Sequence, residues 1–457
     1  MRIILLSGGS GKRLWPLSND ARSKQFLKVL KNNDGKMESM LQRVWGQLSR
    51  VGLAENTVIA TSKSQIETIQ NQLDENVSLI VEPERRDTFP AIALSAAFLN
   101  SEKEASRDEV VVVLPVDPYV EDAFFKQIIA LEEAIREQEA KIALIGVKPT
   151  YPSTKYGYIV PENTTQDGIV VVSSFTEKPN EDYAKNLIER NALWNCGVFA
   201  FKLDYVLSIM EEKGYSTDYE ELKNNYINMP KISFDYEVVE NTDKIFAIPY
   251  DGYWKDLGTW NTLTEEMPEK QIGKGVVSED SSNIHMINEL EIPITVLGVQ
   301  NLIIAASPDG ILVSDKEASP KIKELVSNLE SRPMYEERRW GNYKVLDFSK
   351  FEDGYEVLTK RICIKKGKNL SYQQHFSRSE VWTIIKGNGE LILDERLYQV
   401  STGDVFNIPI SSKHAIKAIT DLEIIEVQQG SNLVEEDIIR LVYEWKDIVE
   451  LCKYVNI

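Results

Sequence analysis

Short apolar runs alternate with amphipathic stretches through the first third of this 457-residue chain, and this alternation limits the possible folds more than any other feature. The apolar runs lie at 3–6, 57–60, 78–81, 110–114 and 142–147. Amphipathic stretches that predict helices lie between them, at 41–48, 64–73 and 91–99. Short buried strands that alternate with helices are typical of a largely parallel sheet covered by helices. The pattern, with an antiparallel insertion, continues to about residue 267.

The character of the sequence changes after this first part. Residues 273–315 are rich in β-forming residues with turns between them, but they are too few for an independent sandwich. We therefore expect a small β module that packs against a neighbouring part. The charged stretch 316–337 predicts a helical connector.

The last part of the chain predicts an all-β fold. Strand-like runs follow Trp340 at short spacing, at 355–364, 381–385, 390–393 and 422–427. This spacing is typical of a barrel or jelly roll, and an amphipathic helix is predicted at 433–452. The sequence thus divides into residues 1–267, 268–335 and 336–457.

Charge and cysteine content exclude several classes of protein. There are 52 Lys and Arg against 71 Asp and Glu, so the net charge is 52 − 71 = −19. A surface this negative repels nucleic acid and anionic lipid, although a small anion can still bind in a locally basic pocket. Cys196, Cys363 and Cys452 are scattered, which argues against a disulfide framework or a zinc finger. The apolar start is too short for a signal peptide, so we predict a cytoplasmic protein without a membrane span.

A glycine-rich loop follows the first predicted strand, with the sequence LSGGSGKRLWPLS at residues 6–18. Its backbone N–H groups could hold a phosphate. It is not a Walker A loop, because the first glycine of that motif would fall on Leu6 and Arg13 follows Lys12. It also lacks the third glycine of the dinucleotide fingerprint. From the glycines alone, a strand-to-helix turn without a ligand remains an open alternative.

The loop and eight later strings together resemble sugar-phosphate nucleotidyltransferases, specifically mannose-1-phosphate guanylyltransferases. The strings follow in order over about 260 residues: GGSGKRLWPLS, KQFL, EPERRDTFPAIALSAA, LPVD, KYGYI, FTEKP, WNCGVFAF, FDYEVVE and WKDLGTW. The resemblance implies an α/β, Rossmann-like nucleotidyltransferase domain with a mixed, mostly parallel sheet. It also implies nucleotidyl transfer from GTP to mannose 1-phosphate with Mg²⁺, which gives GDP-mannose and pyrophosphate.

The composition of the first part suits this chemistry. In the reaction a sugar 1-phosphate attacks the α-phosphorus of a nucleoside triphosphate. The attacking phosphate has a second pKa of about 6, so it is already ionised near neutral pH and needs no general base. All three histidines lie after residue 284. What the reaction needs is cations, because two polyanions must approach each other.

The resemblance assigns these roles to particular residues. Arg13 and Lys24 would contact the triphosphate, and Asp117 and Asp256 would hold Mg²⁺, which prefers carboxylate and phosphate oxygens. The other predicted nucleotide-binding residues are Gly8, Gly9, Gly11, Lys12, Glu82, Arg86 and Thr88. The predicted sugar-phosphate-binding residues are Tyr156, Gly157, Glu177, Lys178 and Asn195, with the segment 156–158 lining the sugar site.

Other interpretations stay open at this point. Taken alone, Asp117 and Asp256 could be turn residues, and Lys178 a solvated bend. The chain also departs from the family pattern, with Asp87, Phe89 and Pro118 where the family usually has Asn, a small residue and His. The nucleotide or the sugar could therefore differ, or the first part could be a regulatory subunit that binds sugar nucleotides without catalysis.

The C-terminal part carries a second candidate site. Gln373, His375 and Glu380 lie in SYQQHFSRSEVW, and a G-x5-P-x4-H pattern ends at His414. Two imidazoles and a carboxylate suit a divalent metal such as Zn²⁺, with the glutamine as a weaker fourth ligand. The spacing resembles the two cupin motifs, and specifically the C-terminal isomerase domain of bifunctional mannose-6-phosphate isomerase/guanylyltransferases. It implies a cupin-type β-barrel.

Interconversion of mannose 6-phosphate and fructose 6-phosphate would need a base and a cation or metal near the substrate. Arg378 and Arg440 are the candidate residues, but several polar positions of the family pattern are replaced, for example by Val381 and Ala415. The alternative is a vestigial cupin with a binding, structural or dimerising role. The family and the β-rich tail favour a homodimer.

Overall fold

The computed structural model describes residues 1–9, 11–19, 21–73, 76–138, 140–164, 168–329 and 332–453. Among them, nine strands of the N-terminal part form one mixed sheet in the order β5-β4-β1-β6-β11-β8-β12-β10-β9. The neighbours from β5 to β6 run parallel, as do β8 and β12, whereas β11, β10 and β9 pair in antiparallel fashion. The mixed sheet predicted from the sequence is confirmed. The strands of this part are β1 (Arg2–Leu6), β2 (Leu30–Lys31), β3 (Met37–Glu38), β4 (Thr57–Ser62), β5 (Leu79–Glu82), β6 (Val110–Pro115), β7 (Pro118–Val120), β8 (Ile142–Val147), β9 (Tyr158–Thr164), β10 (Val170–Thr176), β11 (Leu193–Lys202), β12 (Ile245–Tyr250) and β13 (Trp254–Asp256).

Helices cover both faces of this sheet, which is why its central strands are apolar along their whole length. In β6, every residue from Val110 to Leu114 is buried. The helices are α1 (Met40–Arg50), α2 (Ile66–Gln72), α3 (Thr88–Ser101), α4 (Phe124–Glu137), α5 (Glu181–Glu189), α6 (Leu203–Glu212), α7 (Tyr219–Asn224), α8 (Phe234–Glu237) and α9 (Trp260–Glu266). The predicted amphipathic stretch 91–99 is instead buried on nearly all sides, because α3 packs against both the sheet and other helices.

The middle part forms short, mostly parallel strands that stack like the turns of a β-helix, and its last strand, 310–315, pairs in antiparallel fashion with the strand before it. Strand β16 lies between β14 and β18, both parallel to it, and β15 pairs with β17. The strands are β14 (Gln271–Ile272), β15 (Gly275–Val277), β16 (His285–Asn288), β17 (Ile294–Val296), β18 (Leu302–Ser307) and β19 (Gly310–Asp315). The described residues of the predicted helical connector, 316–329 and 332–337, are mostly not helical: they contain one 3₁₀ turn, Ser319–Lys321, and the short helix α10 (Ile322–Val326).

The C-terminal part consists of two antiparallel sheets, β20-β21-β22-β29-β24-β27 and β26-β25-β28-β23-β30. Their inner faces enclose an apolar core around Trp382, Leu358 and Ile424. The strands are β20 (Tyr335–Arg338), β21 (Gly341–Lys350), β22 (Glu356–Ile364), β23 (Tyr372–Gln374), β24 (Arg378–Lys386), β25 (Asn388–Leu393), β26 (Arg396–Ser401), β27 (Val405–Ile408), β28 (His414–Ala418), β29 (Leu422–Gly430) and β30 (Ile439–Val442).

The helix predicted at 433–452 is only half present. Residues 439–442 form strand β30, which pairs with β23, and helix α11 (Trp445–Lys453) begins after it. A short apolar run does not distinguish strand from helix by its periodicity. Here pairing with an edge strand, a tertiary interaction, decides the structure. No helix in the described part of the chain is both long and apolar enough to cross a bilayer.

Polar contacts join the three parts. Arg22 of the N-terminal part forms two hydrogen bonds with Glu289 of the middle part, at 2.9 and 3.0 Å. Helix α2 lies against β20, where Gln72 Nε2 donates to Glu337 Oε2 at 2.9 Å. Asn71 Nδ2 donates to the Gly341 carbonyl at 2.8 Å. The middle part therefore packs beside the segment that follows the glycine-rich loop, and the C-terminal part packs against α2.

The glycine-rich loop is closely packed at Gly11. A Cβ placed there would lie 2.9 Å from Ser23 Cα and would also collide with the Asn19 carbonyl. We expect Gly11→Ala to lower the free energy of unfolding by about 1–3 kcal/mol through overpacking. Gly46→Ala, in α1, is the matched control: the nearest atom to its new Cβ is at 3.5 Å, and alanine favours the helix by about 0.5–1 kcal/mol. Thermal unfolding of both variants tests this, and equal melting temperatures would contradict it.

Candidate active site

The carboxyl ends of four parallel strands meet at one edge of the N-terminal sheet. Open α/β sheets commonly bind ligands there. A cavity of about 680 Å³ lies at this edge. The ends of β1, β4, β5 and β6 contribute Leu6, Ser62, Glu82 and Pro115 to its wall. The predicted nucleotide-site residues that line it are Gly8, Gly9, Arg13, Lys24, Glu82, Arg86, Thr88 and Asp117.

A second cavity, of about 180 Å³, adjoins the first. Pro115 and Asp117 line both cavities, so the two meet at the end of β6. Tyr156, Gly157, Glu177, Asn195 and Asp256, all predicted site residues, line the smaller one.

A two-stranded ribbon places the two predicted metal ligands next to each other. Strand β7 pairs with β13 in antiparallel fashion, and Asp256 lies opposite Pro118, the neighbour of Asp117. The Lys24 ammonium lies between the two carboxylates, 2.6 Å from Asp117 Oδ2 and 3.9 Å from Asp256 Oδ1. The structure thus brings together three residues that are far apart in the chain.

The pKa values of these groups reflect their close packing. Burial acts to raise the pKa of Asp117, but the charge and the hydrogen bond of Lys24, together with the charge of Arg13 and a backbone hydrogen bond, hold that pKa below its usual value. Burial and the charge of Asp117 raise the pKa of Asp256, against the effect of Lys24. Burial acts to lower the pKa of Lys24, but the two carboxylates together raise it. The cluster therefore holds a charged lysine beside the two carboxylates.

The larger cavity is basic although the whole chain is acidic. Besides Arg13, Lys24 and Arg86, its wall contains Arg85, Lys231 and Lys323, three cations that the sequence analysis did not assign. Its acidic residues are Glu82, Asp87 and Asp117. Arg85 belongs to the EPERR string and could have been chosen from it. No sequence pattern around Lys323 indicates a nucleotide site, because this lysine lies in the connector, far along the chain from the glycine-rich loop.

The smaller cavity is lined by groups that suit hydroxyls. Asn195 Nδ2 donates to Asp235 Oδ1 at 2.7 Å, and the Gly197 N–H donates to Asn195 Oδ1 at 3.0 Å. Burial, together with the nearby charge of Glu177, raises the pKa of Asp235 to about 7. Gly157 lets Glu177 approach, because a Cβ there would lie 2.5 Å from Glu177 Oε2. Asp235 lies in the FDYEVVE string, but the sequence analysis did not select it.

Some predicted residues lie outside the cavity walls. Gly11 is packed within its loop, and Lys12 Nζ lies 3.4 Å from the Ser327 carbonyl oxygen. Lys178 is half exposed at the edge of the smaller cavity, with its ammonium 2.5 Å from Glu177 Oε1. Tyr158 is buried, and its hydroxyl donates to the Ser153 carbonyl at 3.0 Å. None of these four residues therefore lines either cavity.

The C-terminal part contains a buried cluster of metal-ligating side chains. Among the described residues, His375, Glu380 and His414 offer ligand atoms that all lie within 4.8 Å of one another. His375 Nε2 is 3.2 Å from Glu380 Oε1, and His414 Nε2 is 3.6 Å from Glu380 Oε2. Neither Nε2 has a hydrogen-bond partner in the described structure. Gln373 is paired with His414 across the strands, and its Oε1 accepts from Ser371 Oγ at 2.9 Å.

The histidines in this cluster are suited to metal binding. Burial, with the charge of Arg378, lowers the pKa of His375 to about 2, and burial lowers that of His414 to about 4. Both imidazoles are therefore neutral at physiological pH. His414 Nδ1 lies 3.0 Å from the Ser412 carbonyl oxygen, so the proton belongs on Nδ1 and the lone pair of Nε2 faces Glu380. These residues fit a divalent ion.

Arg378 and Arg440 line a small cavity beside this cluster. Arg378 Nε donates to Glu380 Oε1 at 3.0 Å. The cavity also contains Glu426, whose pKa burial and the charge of Glu380 raise to about 8. Its volume is about 50 Å³, which is room for a few water molecules but not for a hexose phosphate.

Comparison with known proteins agrees with this organisation. The Nucleotidyl transferase family matches residues 2–271, the MannoseP isomerase/GMP-like beta-helix domain matches 275–329, and the Mannose-6-phosphate isomerase C-terminal domain matches 329–443. Mannose-1-phosphate guanylyltransferase RfbM of Salmonella typhimurium is 31% identical over 96% of each chain. Alginate biosynthesis protein AlgA of Pseudomonas putida is 30% identical over 96% of this chain and 94% of its own length.

A solved structure extends the comparison to the fold. The crystal structure of mannose-1-phosphate geranyltransferase from Thermus thermophilus matches with a TM-score of 0.59 and 27% identity. The match covers 72% of this chain and 99% of that chain. The match over residues 2–271, which include the mixed sheet and every residue lining the two joined cavities except Lys323, makes the chain a nucleotidyltransferase. Within this class, the chain belongs to the mannose-1-phosphate guanylyltransferase family.

Proposed function

We propose that this chain transfers a guanylyl group from GTP to mannose 1-phosphate, with Mg²⁺, and releases GDP-mannose and pyrophosphate. A phosphate oxygen of mannose 1-phosphate forms a bond to the α-phosphorus of GTP. The bond between that phosphorus and the oxygen bridging to the β-phosphate breaks, and pyrophosphate carries away the charge.

The junction of the two cavities at Asp117 is the observation that supports this proposal most strongly. The larger cavity has room and positive charge for a nucleoside triphosphate, and the smaller one has carboxylate and amide groups for a sugar. Substrates bound in the two cavities would therefore bring the sugar phosphate and the α-phosphorus together next to Asp117 and Asp256.

Asp117 and Asp256 fit Mg²⁺ because they are neighbouring carboxylates in a cavity open to phosphate oxygens. A bound Mg²⁺ would neutralise charge on the phosphates and fix their orientation. Lys24 holds both carboxylates in position and adds its own charge at the same point. Arg13, on the wall of the larger cavity, is a second cation for the triphosphate. No residue has to accept a proton, since the attacking phosphate is already ionised.

Glu82 supports guanine as the base. Its carboxylate lies in the larger cavity at the end of β5, and Tyr226 Oη donates to Glu82 Oε2 at 2.9 Å. The other oxygen, Oε1, faces Gly8. Burial raises the pKa of Glu82 to about 7. Its Oε1 can accept a hydrogen bond from guanine, whose ring N–H and exocyclic amine are donors.

The test is pyrophosphate release by the purified chain with Mg²⁺ and mannose 1-phosphate, comparing GTP, ATP, UTP and CTP. We expect the highest kcat/KM with GTP. Asp256→Ala should lower turnover with GTP at least about a hundredfold, in the range seen when a key electrostatic group is lost. The matched control is Asp251→Ala, an exposed aspartate five residues away.

Each outcome has a distinct meaning. Faster turnover with another nucleotide would contradict GTP as the substrate but retain the reaction. No turnover with any nucleotide would contradict the transferase proposal. Near-normal activity of the Asp256→Ala variant would remove this residue from the metal site.

We also propose that the C-terminal cluster of His375, Glu380 and His414 holds a divalent ion such as Zn²⁺. The unpaired Nε2 atoms that face Glu380 support this site. Isomerisation of mannose 6-phosphate is the second candidate function, favoured by Arg378 beside the cluster, and it requires the small cavity to open. A homodimer remains a prediction.

Metal content tests the second site directly. We expect about one tightly bound divalent ion per chain by elemental analysis, lost in the His414→Ala variant and retained in the His285→Gln variant. His285 is the matched control, because it is a buried histidine in the middle part of the chain. Nucleotidyl transfer should be unchanged in the His414→Ala variant, since this residue belongs to another part of the fold. Retained metal would contradict the site, and lost transfer would contradict the separation of the two functions.

A further inference from the structure

The connector contributes a cation to the larger cavity. Lys323 lies on α10, more than 300 residues after the glycine-rich loop, yet it lines the same wall as Gly8, Gly9 and Arg13. It is exposed on the surface of the chain, and no ion pair joins it to another described residue.

Packing fixes the position of α10. Ile322 and Val326, one helical turn apart, are both buried and belong to one apolar cluster with Leu14 and Leu17 of the glycine-rich loop. Because Ile322 faces this cluster, its neighbour Lys323 points away from the buried side of α10. The helix is thus attached to the 3₁₀ turn Gly11–Leu14, which carries Arg13.

Polar contacts reinforce this attachment. Ser307 Oγ, at the end of β18, donates to the Pro16 carbonyl at 2.8 Å. Lys12 Nζ lies 3.4 Å from the Ser327 carbonyl oxygen, just after α10. The loop and the connector therefore form one packed unit, and Lys323 has a defined place relative to Arg13.

The direction of the reaction indicates which phosphates Lys323 would contact. In an in-line displacement the leaving group lies opposite the attacking group. The sugar phosphate would enter from the smaller cavity, at Pro115 and Asp117. The leaving pyrophosphate would then lie on the far side of the α-phosphorus, in the part of the larger cavity that does not border the smaller one. Lys323 lines only the larger cavity.

Other segments of the chain hold the remaining cations of the larger cavity. Arg86 Nη1 donates to the Met229 carbonyl at 2.5 Å, which places Lys231 in the same region. Thr88 Oγ1, at the start of α3, accepts from the Phe234 N–H at 2.8 Å. Arg13 lies on the glycine-rich loop and Lys24 just after it, and Lys323 lies on the helix packed against this loop. These three form a group of cations separate from Arg86 and Lys231.

We propose that Lys323 is a binding residue for the β- and γ-phosphates of the nucleotide, and hence for the pyrophosphate product. This rests on the proposed function, because it takes the direction of attack from it. It means that the nucleotide site is completed by the connector, so that the middle part of the chain takes part in nucleotide binding and is not only a spacer.

The test is calorimetric titration of the full chain with GTP and with GMP, both in the presence of Mg²⁺. We expect Lys323→Gln to weaken GTP binding about tenfold, the loss typical of one charge-assisted contact to a phosphate, and to leave GMP binding unchanged. Lys323→Arg should retain GTP affinity. The control is Lys321→Gln, an exposed lysine of the same connector that does not line the cavity.

The comparison of GTP with GMP separates a phosphate contact from a structural effect. Equal weakening of both nucleotides, or unchanged GTP binding, would overturn the role of Lys323. Because binding is measured without turnover, a wild-type chain that binds GTP but releases no pyrophosphate would contradict the proposed function alone. A wild-type chain that does not bind GTP would contradict both.

Discussion

The Lys24 ammonium between Asp117 and Asp256 is the interaction on which the arrangement of the N-terminal part depends. The two carboxylates are only partly exposed and repel each other, and the ammonium between them offsets this repulsion. The lysine comes from the segment after the glycine-rich loop, so this one contact also fixes the loop relative to the sheet. The two cavities meet at this point because the three side chains meet there.

The sequence predicts structure best where the structure of a residue depends on its neighbours in the chain. Apolar runs became buried strands, since burial on both faces requires continuous apolar sequence. The ordered strings correctly indicated the class of protein, and most of their polar residues line the two cavities. By contrast, the sequence pattern predicts a helix where strand β30 forms, and it does not point to Lys323. Both depend on contacts between distant segments, with β23 and with the glycine-rich loop, which no local pattern records.

Side-chain contacts join the N-terminal part to the middle and C-terminal parts. Helix α2 of the N-terminal part forms hydrogen bonds with β20, and Glu67 of this helix lines the small C-terminal cavity beside Arg338. The connector, in turn, packs on the loop of the nucleotide site. Each candidate site thus includes a residue from another part of the chain.

The central claim is that the nucleotide and the sugar occupy separate cavities that meet at Asp117 and Asp256. The most direct measurement is a crystal structure of the chain with GDP-mannose and Mg²⁺. We expect guanosine in the larger cavity beside Glu82, the hexose in the smaller cavity beside Glu177 and Asn195, and the diphosphate next to the two aspartates. Binding of the hexose within the larger cavity, or a diphosphate remote from both aspartates, would contradict the account.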